Sequence, residues 1–241
     1  MAKKQTKDAN YYNPPQSLEG HIFYGLNLDE DQRKFRDAIW DDSVDIVFVD
    51  AKAGSGKTTI AVATAVMAIK YHKYDELFYI MNSVGDAQGF LPGTISEKSS
   101  VWFEPLYQAL IEVGEDPYQV VRNSTMTGQK DGTAYVTAIT TTYTRGINLG
   151  NRENGAVLII DEAQNYDEFT LRKILTRACQ GTKVIVIGHQ MQCDLPSNKK
   201  SGFGSCMEHF RSKDDPRVAF CQLTTNHRSW VANVADVPWN K

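Results

Sequence analysis

The segment that most constrains this chain is Ala51-Lys52-Ala53-Gly54-Ser55-Gly56-Lys57-Thr58-Thr59, which lies between the apolar run Val44–Val49 and the apolar stretch Ile60–Ile69. A buried strand, a glycine-bearing turn and a buried helix in that order form the pattern of a phosphate-binding loop. Gly54 and Gly56 let the backbone curl so that successive N–H groups face one phosphate. The helix that follows adds its positive N-terminal end. In this pattern Ala53 to Thr59 make the cradle, Lys57 neutralises the β- and γ-phosphates, and the Thr58 hydroxyl completes a Mg²⁺ shell. Ala51 stands where the pattern has its first glycine, so the loop forms only if residue 51 keeps a negative φ.

The rest of the chain supplies a sheet for this loop to sit on. Leu28–Trp40 has helical spacing behind a capping Asp29. Leu77–Met81, Tyr135–Thr142, Ala156–Ile160, Lys183–Ile187 and Val218–Leu223 read as further strands. The run 156–160 is apolar without interruption, as in a strand covered on both faces. Helical material is expected from about Ser100 to Val113. Another helix is expected after Asp167, with Gly181 closing it. Strands alternating with helices predict an α/β fold with a mainly parallel sheet flanked by helices. Residues 1–25 read as a flexible, irregular segment, 26–241 as one domain, and 114–133 as a mobile insertion or surface hairpin.

The strand 156–160 runs directly into Asp161-Glu162-Ala163-Gln164. Ligands of open parallel sheets sit beyond the carboxyl ends of the strands. Asp161 is therefore placed to hold Mg²⁺, directly or through water, and Glu162 to polarise an attacking water. Hydrolysis requires the second role; nucleotide storage does not. The strand 183–187 ends in Gly188-His189-Gln190-Met191-Gln192, and Gln192, rather than Gln190, is the candidate sensor of a γ-phosphate. Gln32 carries the paired donor and acceptor that could read an adenine edge, although taken alone it reads first as a solvated side chain.

The formal net charge of -3 gives no bulk attraction to nucleic acid, so any such contact must use a local basic face. Apolar runs stop well short of a membrane span. The start Met1–Lys7 is basic without an apolar core, which gives cytoplasmic residence as the expectation. Cys179, Cys193, Cys206 and Cys221 fit no paired zinc spacing and read as small core residues.

On these segments the chain resembles the PhoH-like family, ATPases related to the RecA-like core of superfamily-one helicases. The matching stretches are AKAGSGKTTIAVATA, GFLPGTISEK at 89–98, TRGINL at 144–149, VLIIDEAQN at 157–165, LRKILTR at 171–177, VIGHQMQCDL at 186–195 and SGF at 201–203. The resemblance implies a RecA-like P-loop fold, ATP and Mg²⁺ as ligands, and work on RNA or single-stranded DNA. Three positions depart from the family pattern. His189 replaces an acidic residue after the glycine of the third motif, Asn82 replaces an arginine, and His227-Arg228 replaces an arginine followed by histidine. The first departure predicts slower turnover or altered coupling.

Phosphoryl transfer gains from an arginine outside the loop. Arg145 and Arg228 are the candidates, and Arg145 equally suits a clamp on the sheet edge. One RecA-like unit predicts that the arginine reaches across a subunit interface in a ring or head-to-tail homo-oligomer. The rival to a hydrolase coupled to nucleic acid is a slow nucleotide-dependent switch or assembly module. A small-molecule kinase is the weaker third reading, because no arginine-rich lid segment is present.

Overall fold

The computed structural model describes residues 13–82, 102–122, 134–144, 147–150, 155–195 and 200–235. The GFLPG stretch, Arg145 and the 123–133 part of the expected insertion lie outside them.

Six strands form one sheet in the order β3-β2-β4-β5-β1-β6, every pairing parallel. They are β1 (Ile46–Ala51), β2 (Glu76–Met81), β3 (Val136–Thr140), β4 (Ala156–Ile160), β5 (Thr182–Gly188) and β6 (Val218–Leu223). β4 is apolar at every position because both of its faces are covered. Val47, Val49, Val157, Ile159, Ile185 and Ile187 face one layer, while Phe48, Leu158, Ile160, Val184 and Val186 face the other. The first layer holds α1 (Glu30–Trp40), α2 (Lys57–Lys70) and α3 (Glu104–Glu112), with the short α4 (Pro117–Val120) beside α3. The second holds α5 (Glu168–Leu175) and α6 (Phe203–Arg211), and α7 (Trp230–Ala235) ends the described chain.

Helix α2 lies deepest, between the sheet and α1 and α3. Its Ala61, Ala63, Ala65 and Ala68 are buried, and side chains this small let it approach both layers closely. Helix α1 opens with a reciprocal capping box. Asp29 accepts from the Gln32 N–H, and Gln32 accepts from the Asp29 N–H.

Most expected elements are present with ends moved by a few residues. Residues 13–25 differ from the flexible segment expected of them. Leu18 and Phe23 are buried, and the Trp40 indole donates to the Pro15 carbonyl at 2.8 Å. Polar composition hid two apolar anchors. Helix α4 falls within the expected insertion. Helix α5 stops at Leu175, and Gly181, with φ +84°, instead turns the chain into β5. No helix among the described residues is long and apolar enough to cross a membrane.

Candidate functional site

β5 lies between β1 and β4, so three strand ends stand side by side: the phosphate-loop turn after β1, Asp161 after β4, and His189 after β5. Gly54 and Gly56 both take left-handed conformations, with φ of +72° and +76°. A side chain at 54 would also meet the Asn226 Oδ1 at 2.5 Å, so the position demands glycine twice over. Ala51 is the last residue of β1, pairs with Leu223, and is not among the positive-φ positions. The missing first glycine is therefore harmless.

The carbonyls of the turn are tied from outside. Gly54 O accepts from the His227 N–H at 2.9 Å, and Ser55 O accepts from Gln32 Nε2 at 2.8 Å. These two contacts hold the turn from α1 and from the chain after β6. The cleft has a volume of about 830 Å³ and is bordered by Gly56, Lys57, Thr58 and Thr59, by Leu26 and Leu28, and by Glu104 and Gln108 of α3.

Asp161 is almost fully buried and accepts three hydrogen bonds. Thr58 Oγ1 and the Tyr79 hydroxyl donate to Oδ2 at 2.8 and 2.6 Å, and the Glu162 N–H donates to Oδ1 at 2.8 Å. Burial, reinforced by the Glu162 charge, pushes its pKa up; Lys57, Tyr79 and Thr58 oppose the shift. Glu162 has φ +51°, an uncommon conformation for a side chain of its size, of the kind that collects at functional sites. It lies 3.5 Å from Lys57 Nζ through Oε1, and its Oε2 accepts from Gln164 Nε2 at 2.6 Å. Gln164 in turn accepts from the His189 N–H at 3.0 Å, which joins the ends of β4 and β5.

Residues 27–234 match the family described as PhoH-like protein. The PhoH-like protein of Mycobacterium leprae (strain TN) is 35% identical over 190 residues, covering 78% of this chain and 50% of its own. Protein PhoH of Escherichia coli (strain K12) is 32% identical over 198 residues, covering 76% and 52%. The chain belongs to the PhoH-like family. It spans about half the length of the curated relatives it matches. Among solved structures, the large terminase of bacteriophage HK97 superposes with a TM-score of 0.53 at 15% identity, over 86% of this chain and 43% of the terminase. That likeness is one of fold: the PhoH-like chain has the RecA-like P-loop architecture.

Within the PhoH-like chain, Thr58 meets Asp161 and Lys57 lies beside Glu162, so the loop after β1 and the end of β4 adjoin. Gln32 borders the same cleft, but one hydrogen of its amide already serves Ser55 and its oxygen serves Asp29. The amide is thus a clamp on the loop, with one donor and one acceptor position left for a base. Arg228 was expected to reach a neighbouring subunit's site. It borders its own chain's cleft, and its Cγ and Cδ would stand 2.8 and 3.0 Å from a Cβ at Gly54. No neighbouring subunit is needed to bring it there. Gln192 is exposed in the turn after β5, and its N–H donates to His189 O at 3.1 Å. His189 is buried, with Nδ1 3.5 Å from Asp50 Oδ1, so a carboxylate from β1 stands beside the position where the family carries its own. Asn82 donates to the Asn165 carbonyl and accepts from Thr141.

Tyr79, Gln164 and Asn226 were not singled out from the sequence. A signal existed for Tyr79: a tyrosine in an otherwise apolar strand must find a partner for its hydroxyl when buried.

Proposed function

We propose that this chain binds ATP with Mg²⁺ in the cleft beside the loop after β1 and hydrolyses it. The observation that supports this most strongly is the double convergence of Thr58 on Asp161 and Lys57 on Glu162, because it brings α2 and the end of β4 together at one point. Hydroxyl and carboxylate oxygens are the hard donors Mg²⁺ takes, through one or two carboxylates plus substrate phosphates. Thr58 and Asp161 hold the ion in this reading. Bound there, Mg²⁺ neutralises charge on the phosphate oxygens.

Lys57 exchanges Glu162 for phosphate, which frees the Glu162 carboxylate to accept a proton from the attacking water. Gln164 keeps that carboxylate aimed. Arg228 meets developing charge on the γ-phosphate from within the same chain, and Gln192 reports the γ-phosphate to the turn after β5. Leu26, Leu28 and Gln32 receive the base. We extend the reading to work on RNA or single-stranded DNA, supported by the family resemblance, and to a homo-oligomer in which a neighbour covers the open cleft.

Phosphate release from ATP, measured with and without single-stranded RNA, tests both layers. Mg²⁺-dependent turnover that RNA stimulates supports the coupled hydrolase. Absence of turnover in the wild type contradicts the hydrolase. Slow turnover unaffected by RNA favours the alternative, a nucleotide-dependent switch. That reading draws support from Glu162, whose two carboxylate oxygens are both engaged by protein groups.

A further inference from the structure

Two large tyrosines are fully buried near the end of β4, and they dispose of their hydroxyls differently. Tyr166 gives its hydroxyl to a main-chain carbonyl, that of Ile80, at 3.2 Å. This is the ordinary way to satisfy a buried phenol. Tyr79 donates at 2.6 Å to the Asp161 carboxylate, on the same oxygen that Thr58 reaches from α2.

We propose that Tyr79 is a positioning residue of the cation site, its hydroxyl fixing the Asp161 carboxylate in the orientation that Thr58 and Mg²⁺ use. The proposal rests on the reading above that Asp161 serves Mg²⁺. Thr58 is a partner that must also face the ion, so its hydrogen bond cannot by itself hold the carboxylate still. Glu162 N–H anchors only the other oxygen, Oδ1. Tyr79 has neither limitation. Its ring is locked in the layer between the sheet and α2, edge-on to Phe103 with centroids 6.3 Å apart. Its hydroxyl donates to Oδ2 and leaves the remaining lone pair of Oδ1 for the ion or its water.

The test is Tyr79→Phe, which removes one oxygen and keeps the packing. ATP affinity is titrated in Mg²⁺ and in EDTA, the half-saturating Mg²⁺ concentration is read at fixed ATP, and the ligand-free melting temperature is recorded. Partners that orient metal ligands are worth about 10–100-fold in metal affinity. The expected result is a half-saturating Mg²⁺ concentration raised about tenfold or more, with EDTA affinity for ATP within about twofold of wild type. An unchanged Mg²⁺ requirement overturns the proposal. Equal losses with and without Mg²⁺, or a variant that does not fold, assign the hydroxyl to the fold and overturn it too. Should wild-type binding itself ignore Mg²⁺, the cation-site reading falls, and with it the role of Tyr79.

Discussion

At the amino end of β5, Lys183 is 2% exposed; at the carboxyl end of the adjacent β4, Asp161 is 1% exposed. Both bury an ionisable group in neighbouring strands of one sheet, yet their surroundings differ. Lys183 Nζ donates to the carbonyls of Asp41 (2.6 Å) and Val44, closing the turn between α1 and β1. Its partners are main chain and fixed. Asp161 is met by Thr58 and Tyr79 side chains, sits next to a strained Glu162, and adjoins Thr58, which borders the cleft. Burial of a charge therefore does not mark a site. Side chains from separate elements converging beside an open cleft do.

If that distinction holds, changes at the two ends should separate function from stability. Glu162→Gln should cut phosphate release at least about a hundredfold, within the range for a general base, while retaining ATP·Mg²⁺. Lys183→Met should leave turnover near wild type. Normal turnover in Glu162→Gln would move the water-polarising role elsewhere and erase the contrast. Asp161→Asn should lose about tenfold in the Mg²⁺-dependent part of ATP affinity and little in EDTA. Equal losses in the two conditions would make Asp161 a structural residue like Lys183.

The smallest effect concerns pH. Burial, with help from Lys73, lowers the pKa of Lys183 to about 8 from 10.5. Between these values the unfolded chain holds a proton that the folded chain has shed, so this group makes stability rise with pH across the window. Below about pH 8 both states are protonated and the cost of burying the charge is constant. Urea midpoints measured from pH 7.5 to 10 should improve for the wild type relative to Lys183→Met. Parallel curves would show that Lys183 is not the buried cation described here.

The sequence made some parts of this arrangement legible and hid others. Ala156–Ile160 running into Asp161-Glu162 was readable because a strand covered on both faces leaves a continuous apolar run. The phosphate loop was readable because glycines at its left-handed turn positions fall between an apolar strand and an apolar helix. Contacts across strand order were not. Gln164 reaching His189, and Tyr79 reaching Asp161, depend on β2 and β5 flanking β4, and no local pattern states that order. The place of Arg228 beside its own chain's loop was hidden for the same reason. Only the pairing of β6 with β1 shows that the chain after β6 returns over its own phosphate loop. Leu18 and Phe23 were missed because two apolar side chains in a polar stretch carry no period.

The central claim is that the loop after β1 binds the phosphates of ATP, and Lys57 is the side chain on which it depends most. Hydrogen bonds to charged groups contribute about 1.5–3 kcal/mol each, so loss of the lysine should cost about a hundredfold in affinity. Calorimetric titration of ATP with Mg²⁺ into wild type, Lys57→Ala and Lys183→Met measures this directly. The account predicts saturable binding in the wild type, a loss of about a hundredfold in Lys57→Ala and wild-type affinity in Lys183→Met. Lys57→Ala binding ATP as tightly as the wild type would contradict it.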